Sequence, residues 1–248
     1  MTLRITPKTV LVFGSLVLFI ALGTRHGFGL FLQPMSMDRG WGREVFSFAL
    51  AAQNLIWGFA QPFSGMIADR FGAGRVILGG ALLYAAGLWL MSSAATPAEL
   101  YLSAGVLVGL GLSGTAFSVV YGVIGRHTAP EKRTMALGVA SAVASFGQFA
   151  MVPGSLALIS TAGWAFALAV LAAVAFLMAP FSVALMERPH ADDSGPRQTI
   201  GEALAEARVQ KSFWLLIAGY FTCGFQVVFI GSHLPSYLID RGLTARAK

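Results

Sequence analysis

Gly65-Met-Ile-Ala-Asp69-Arg70-Phe71-Gly72-Ala-Gly-Arg75 is a short charged turn set between two stretches without any charge: residues 45–68 before Asp69 and 76–98 after Arg75 contain no Asp, Glu, Lys or Arg. A helix rises about 1.5 Å per residue, and roughly 20 apolar residues cross the hydrocarbon core of a bilayer. Each flank is therefore long enough to span, and the turn is a tight loop joining two membrane helices.

Composition agrees. Of 248 residues, 56% are hydrophobic and 11% charged, with mean hydropathy +0.71; soluble domains carry about 25% charged residues. One cysteine, Cys223, excludes an intrachain disulfide framework. The net charge of +6 is spread over loops between apolar runs, so it reads as topology and not as a nucleic-acid surface. No His/Cys/Asp/Glu grouping calls for a metal, and no cofactor motif occurs.

In lipid the backbone must satisfy its own hydrogen bonds, which leaves helices or closed barrels, and these runs are too long for barrel strands. The charge-free intervals predict spans at 10–34 (interrupted by Arg25 and His26), 45–68, 76–95, 100–125, 134–159, 163–186 and 212–239. The 53 residues from Thr134 to Met186 lack charge and are divided at Ser160-Thr-Ala-Gly163. With the N-terminus inside, the inner segments hold eleven basic residues (Arg4, Lys8, Arg70, Arg75, Arg126, Lys132, Arg133, Arg188, Arg197, Arg208, Lys211). The outer ones hold five (Arg39, Arg43, Arg241, Arg246, Lys248), and the bias predicts a cytoplasmic N-terminus. The apolar run after Arg4 and Lys8 is too long for a signal peptide and lacks an A-x-A site, so it is expected to stay as the first span.

The domain plan is a six-helix bundle at 1–187, a cytoplasmic linker at 188–210 and a further membrane helix at 211–248. Within the linker, Thr199 and Glu202 have capping-box spacing and open a short amphipathic helix. The chain is expected to stop at a truncation point at Lys248, in the loop before an eighth helix.

Six helices, a charged turn between the second and third, and a long central inner loop resemble the N-terminal half of the major facilitator superfamily. The turn is similar to that family's G-x-x-x-D-R-x-G-x-x-R signature through Gly65, Asp69, Arg70, Gly72 and Arg75, departing at Ala73 and Gly74, one or both of which are often basic. Arg126, Glu131, Lys132 and Arg133 with Ala136-Leu-Gly138 resemble its second inner charged turn. Arg25-His-Gly-Phe-Gly-Leu-Phe31, Gln53-Asn54, Gly58, Gln61-Pro62 and 138–148 are similar to bacterial oxalate/formate and monocarboxylate porters. The resemblance implies a secondary transporter of small organic anions working by alternating access, its second half missing here, in the bacterial inner membrane. It also implies that Gly65, Asp69, Arg70, Gly72, Arg75, Arg126, Glu131 and Arg133 form a conformational latch pairing across helices when the cytoplasmic side closes. Asp69 is placed to cap the start of the third helix.

Arg25 is the foremost candidate for substrate. An ion inside an apolar helix is costly, and its planar fork fits a carboxylate; the plainer alternative is snorkelling to outer headgroups. On the second helix Ser47, Asn54, Gly58, Gln61 and Gly65 lie within about 40° of one line. Asn54 and Gln61 are candidate substrate contacts, interhelical bonding being the alternative. Gln148 on the fifth helix, and Gln226 and His233 on the seventh, complete the candidates, with His233 a possible gate because imidazoles change charge near physiological pH. Ala104, Gly111, Thr115, Ser118, Gly122 and Gly125 are expected to share one packing face. No carboxylate lies within a span, and Tyr101-Leu-Ser-Ala-Gly105 stands where proton-driven drug exporters tend to have Arg, which disfavours that alternative. An enzyme is disfavoured by the lack of H-E-x-x-H and G-x-S-x-G. A regulatory or inactive half-transporter is the other competing reading. The partners expected are membrane lipid, a small anion and the missing half, with no nucleic acid.

Overall fold

A computed structural model describes residues 6–187 and 200–241. The expected linker residues 188–199, including Arg188, Arg197 and Thr199, and the tail 242–248 lie outside the described residues. The chain divides into two units, Met1–Pro189 and His190–Lys248.

The described residues of the first unit form helices joined by short connectors: α1 (Pro7–His26), a 3₁₀ turn (Gly27–Phe31), α2 (Leu32–Arg39), α3 (Arg43–Phe71), α4 (Ala73–Ser93), α5 (Pro97–Leu100), a π turn (Tyr101–Leu107), α6 (Val108–Thr115), α7 (Phe117–His127), α8 (Pro130–Ala162), α9 (Trp164–Phe176) and α10 (Met178–Ala184). Capping chemistry sets several starts. The Thr6 hydroxyl accepts from the Thr9 N–H at 3.2 Å ahead of Pro7, and that of Thr96 accepts from Glu99 N–H at 3.3 Å ahead of Pro97. Glu99 returns the favour by accepting from Ala95 N–H at 2.7 Å.

Among the described residues six helices are long and apolar enough to cross a membrane: Pro7–Arg39, Ala73–Ser93, Pro97–His127, Pro130–Ala162, Trp164–Ala184 and Lys211–Gly231. The expected second span, α3, has 29 residues and the length to cross, but Gln53, Asn54 and Gln61 leave it more polar than those six.

Three boundaries differ from the sequence reading. The first span continues past residue 34 to Arg39, stopping where Gly40 takes φ 66°. The turn expected over 160–163 shrinks to Gly163 alone, at φ 84°. Ser160 and Thr161 stay helical, their hydroxyls donating back to the Ala157 carbonyl at 3.0 and 2.7 Å and so finding a partner inside the helix. The fourth span is interrupted by the π turn and by Ala116, whose extended backbone (φ −89°, ψ −173°) separates α6 from α7. These interruptions shift the angular register, so the single small-residue face does not persist: Ala104 and Thr115 are buried, but Ser118 is exposed.

The core lies between α1, α4 and the fourth span, with Leu18, Ala21, Ile77, Tyr84, Leu88, Val108 and Leu112 fully buried. Tyr84 Oη donates to the Ala21 carbonyl at 3.0 Å, a polar tie inside that core. Helices α1 and α8 meet backbone to backbone: a Cβ added to Gly23 would lie 2.7 Å from the Gly147 carbonyl oxygen, so no larger residue fits there.

The second unit holds α11 (Ile200–Val209) and α12 (Lys211–Asp240), joined by Trp214 Nε1–H donating to the Arg208 carbonyl at 3.1 Å.

Candidate functional site

Arg25 sits eighteen residues after Pro7 and fourteen before Arg39. The longer helical run places it near the middle of Pro7–Arg39, roughly 20 Å of helical rise from Arg39.

Its guanidinium is held inside the protein. Nη2 donates to Asn54 Oδ1, and Asn54 Nδ2–H donates to the Leu50 carbonyl at 2.7 Å, which turns the amide oxygen toward the arginine. On another side the guanidinium carbon stands 4.6 Å from the Trp57 ring centroid, a cation–π stack. Two N–H groups of this cluster, Arg25 Nε and Trp57 Nε1, are buried without a hydrogen-bond partner among the described residues. Sequence reasoning missed Trp57; the available signal was its place one turn after Asn54, on the arginine side of the helix.

The remaining candidates are dispersed. Neighbouring Gln53 is buried and donates to the Ala104 carbonyl at 2.8 Å, an interhelical tie. Gln61 and Gln148 are half-buried without a hydrogen bond among the described residues. Gly58 and Gly65 meet open space instead of a packed helix. In the second unit Gln226 and His233 are exposed on α12, and His233 closes a ladder of rings, Phe221, Phe225 and Phe229, with 5.2 Å between the last ring and the imidazole.

At the Asp69 end of the bundle, Arg126 at the end of α7 holds two carboxylates. Nη1 donates to Asp69 Oδ1 at 3.0 Å and Nη2 to Glu187 Oε1 at 2.5 Å. The two differ in exposure: the Asp69 side chain is 72% exposed, that of Glu187 6%. Glu187 also lies 3.5 Å from His127 Nδ1 and accepts from the Ala73 N–H at 3.4 Å. Thus Glu187, and not Asp69, reaches the start of α4; Asp69 belongs to the last turn of α3.

Glu187 gets there because the chain beneath it is bare. Gly72 turns at φ 94°, and a Cβ on Gly74 would stand 2.7 Å from both N and Cα of Met186. The departure of Ala73 and Gly74 from basic residues thus makes the seat on which 185–187 rest. Arg70, Arg75, Glu131 and Arg133 make no ion pair among the described residues. Arg70 lies over Phe71 at 5.4 Å, and the other three are exposed. Glu187 ends the charge-free run begun at Thr134, which was its only sequence signal.

A family model described as Major Facilitator Superfamily matches residues 14–247. The chain belongs to that superfamily. It is 27% identical over 216 residues to monocarboxylate transporter 11 of Homo sapiens, covering 84% of this chain and 43% of that protein. To an uncharacterized MFS-type transporter, YhjX, of Escherichia coli (strain K12) it is 24% identical over 242 residues, covering 94% of this chain and 59% of that protein. Its fold is similar to a crystal structure of a mutant peptide transporter POT in complex with alafosfalin, at TM-score 0.63 and 18% identity, over 85% of this chain and 46% of that one. The chain spans about half the length of the curated relatives it matches. It is an integral membrane protein related to monocarboxylate transporters.

Proposed function

We propose that this chain forms the N-terminal bundle and first further helix of a secondary active transporter that moves a small organic anion, a monocarboxylate or dicarboxylate, by alternating access. The half-buried Arg25, near the middle of Pro7–Arg39 and with its buried Nε lacking a partner among the described residues, carries the reading. An unneutralised cation at this depth is expensive unless a ligand or a polar neighbour completes it. Asn54 supplies part of that completion and a carboxylate supplies the rest.

In this reading Asn54 holds the Arg25 guanidinium in place for the substrate, Gln61 and Gln148 are further candidate contacts in the first unit, and Gln226 and His233 are candidates on the seventh span. Asp69, Arg126 and Glu187 act as the cytoplasmic latch, with the N-terminus inside and the protein in a bacterial inner membrane. Relatedness to monocarboxylate transporters supports the anion. The rest of the transport path belongs to a C-terminal half.

Uptake of radiolabelled formate, lactate, pyruvate and oxalate into proteoliposomes carrying the full-length gene product tests the reading. Arg25→Gln is expected to abolish uptake while the protein still inserts and elutes as wild type. Uptake at the wild-type rate would remove Arg25 from the path.

A further inference from the structure

We infer that Trp57 is a further substrate-binding residue, its indole N–H donating to the anion held by Arg25; this rests on the anion-binding role proposed for Arg25. Among the described residues five buried polar side-chain atoms lack a hydrogen-bond partner: Ser15 Oγ, Thr24 Oγ1, Arg25 Nε, Trp57 Nε1 and Ser155 Oγ. The three hydroxyls sit on helices, where a rotating O–H can turn to a carbonyl of its own preceding turn. The other two have no such freedom, because a guanidinium Nε–H and an indole Nε1–H point along fixed in-plane directions and can only donate. These two belong to side chains in direct contact, the guanidinium carbon being 4.6 Å from the indole centroid.

Two fixed, buried, unsatisfied donors on touching side chains need an acceptor, since leaving each unmade costs about 1–3 kcal/mol. Asn54 is committed: its oxygen takes Arg25 Nη2 and its nitrogen gives to Leu50. Gln53 is turned away to Ala104. Among the described residues nothing else on α3 reaches the pair. An oxyanion accepting from Nε of the arginine and from the indole would complete both, and a carboxylate offers two oxygens with about four acceptor positions. Trp57 then has two tasks, which substitutions separate: its ring face steadies the cation, and its N–H reads the anion.

The test is transport kinetics of the full-length protein with formate, pyruvate and oxalate. Trp57→Phe keeps an aromatic face and deletes the donor. KM is expected to rise about tenfold, the loss of one hydrogen bond to a charged group, with kcat within about twofold. Trp57→Tyr, which keeps an O–H, should recover part of that loss. A structural role alone would lower the amount of folded protein without this split. An unchanged KM in Trp57→Phe beside inactive Arg25→Gln overturns the inference and leaves the Arg25 reading intact. Active Arg25→Gln overturns both. Should neither Trp57 variant insert, protein retaining Trp57 as its only tryptophan decides: a fluorescence shift on adding formate, absent with chloride, supports the contact, and no shift refutes it.

Discussion

Two carboxylates share Arg126, and replacing each by its amide should have very different consequences. The Glu187 side chain is 6% exposed and accepts from Arg126 at 2.5 Å and from the Ala73 N–H at 3.4 Å. Glu187→Gln keeps one acceptor oxygen but removes the charge. A hydrogen bond to a charged group is worth about 1.5–3 kcal/mol, and the 29% exposure of Arg126 moves the figure to the lower part of that range, about 2 kcal/mol. At about 2–4 °C per kcal/mol for a chain of this size, the melting temperature should fall by about 4–8 °C. Asp69→Asn touches the same guanidinium through a side chain 72% exposed, where pairs are worth about 0.5 kcal/mol, so a fall of about 1–2 °C is expected. Thermal unfolding of this 248-residue chain in detergent, followed by tryptophan fluorescence, compares the two. Equal shifts, or a larger one for Asp69→Asn, would show that burial does not rank these carboxylates and would refute the reasoning.

Asn54→Asp puts a fixed carboxylate against Arg25, so the cation is neutralised internally; uptake should fall at least about tenfold in proteoliposomes, and an unchanged KM would contradict the shared site. Gly74→Lys restores a basic residue at the turn but drives its Cβ into Met186, so it should lower the melting temperature more than Glu187→Gln does. Gly23→Val meets the Gly147 backbone at 2.7 Å and should cost about 1–3 kcal/mol or prevent folding altogether, read as loss of the monodisperse peak in size-exclusion chromatography.

Hydrophobic spacing made the spans legible because charge is nearly excluded from lipid, so Asp69, Arg75, Arg126 and Glu187 mark helix ends almost by themselves. What spacing could not show was conformation inside an apolar run. Nothing in Tyr101–Leu107 or Ala116 breaks the hydropathy, yet the backbone departs from α-helix at both, and a constant 100° per residue then misplaces Ser118. Arg25 stood out as the charge within a span, and Asn54 as a polar residue on a stripe. Their pairing depends on how α1 and α3 dock, which no single-helix pattern contains. The latch was legible in part for the same reason: Arg126 and Asp69 carried a motif, whereas Glu187 matters through the bare seat at Gly72–Gly74 that admits its backbone.

Ala116 makes the fourth span two short rods instead of one long beam. The rod before it, α6, is keyed to α4 by backbone contacts so close that a Cβ on Gly111 would stand 2.6 Å from Tyr84 N. The rod after it, α7, rests on α1 through Val120 and Ile124 and bears the guanidinium that grips both carboxylates. The two ends of this helix therefore answer to different neighbours, the latch end to α1 and the far end to the glycine seam with α4.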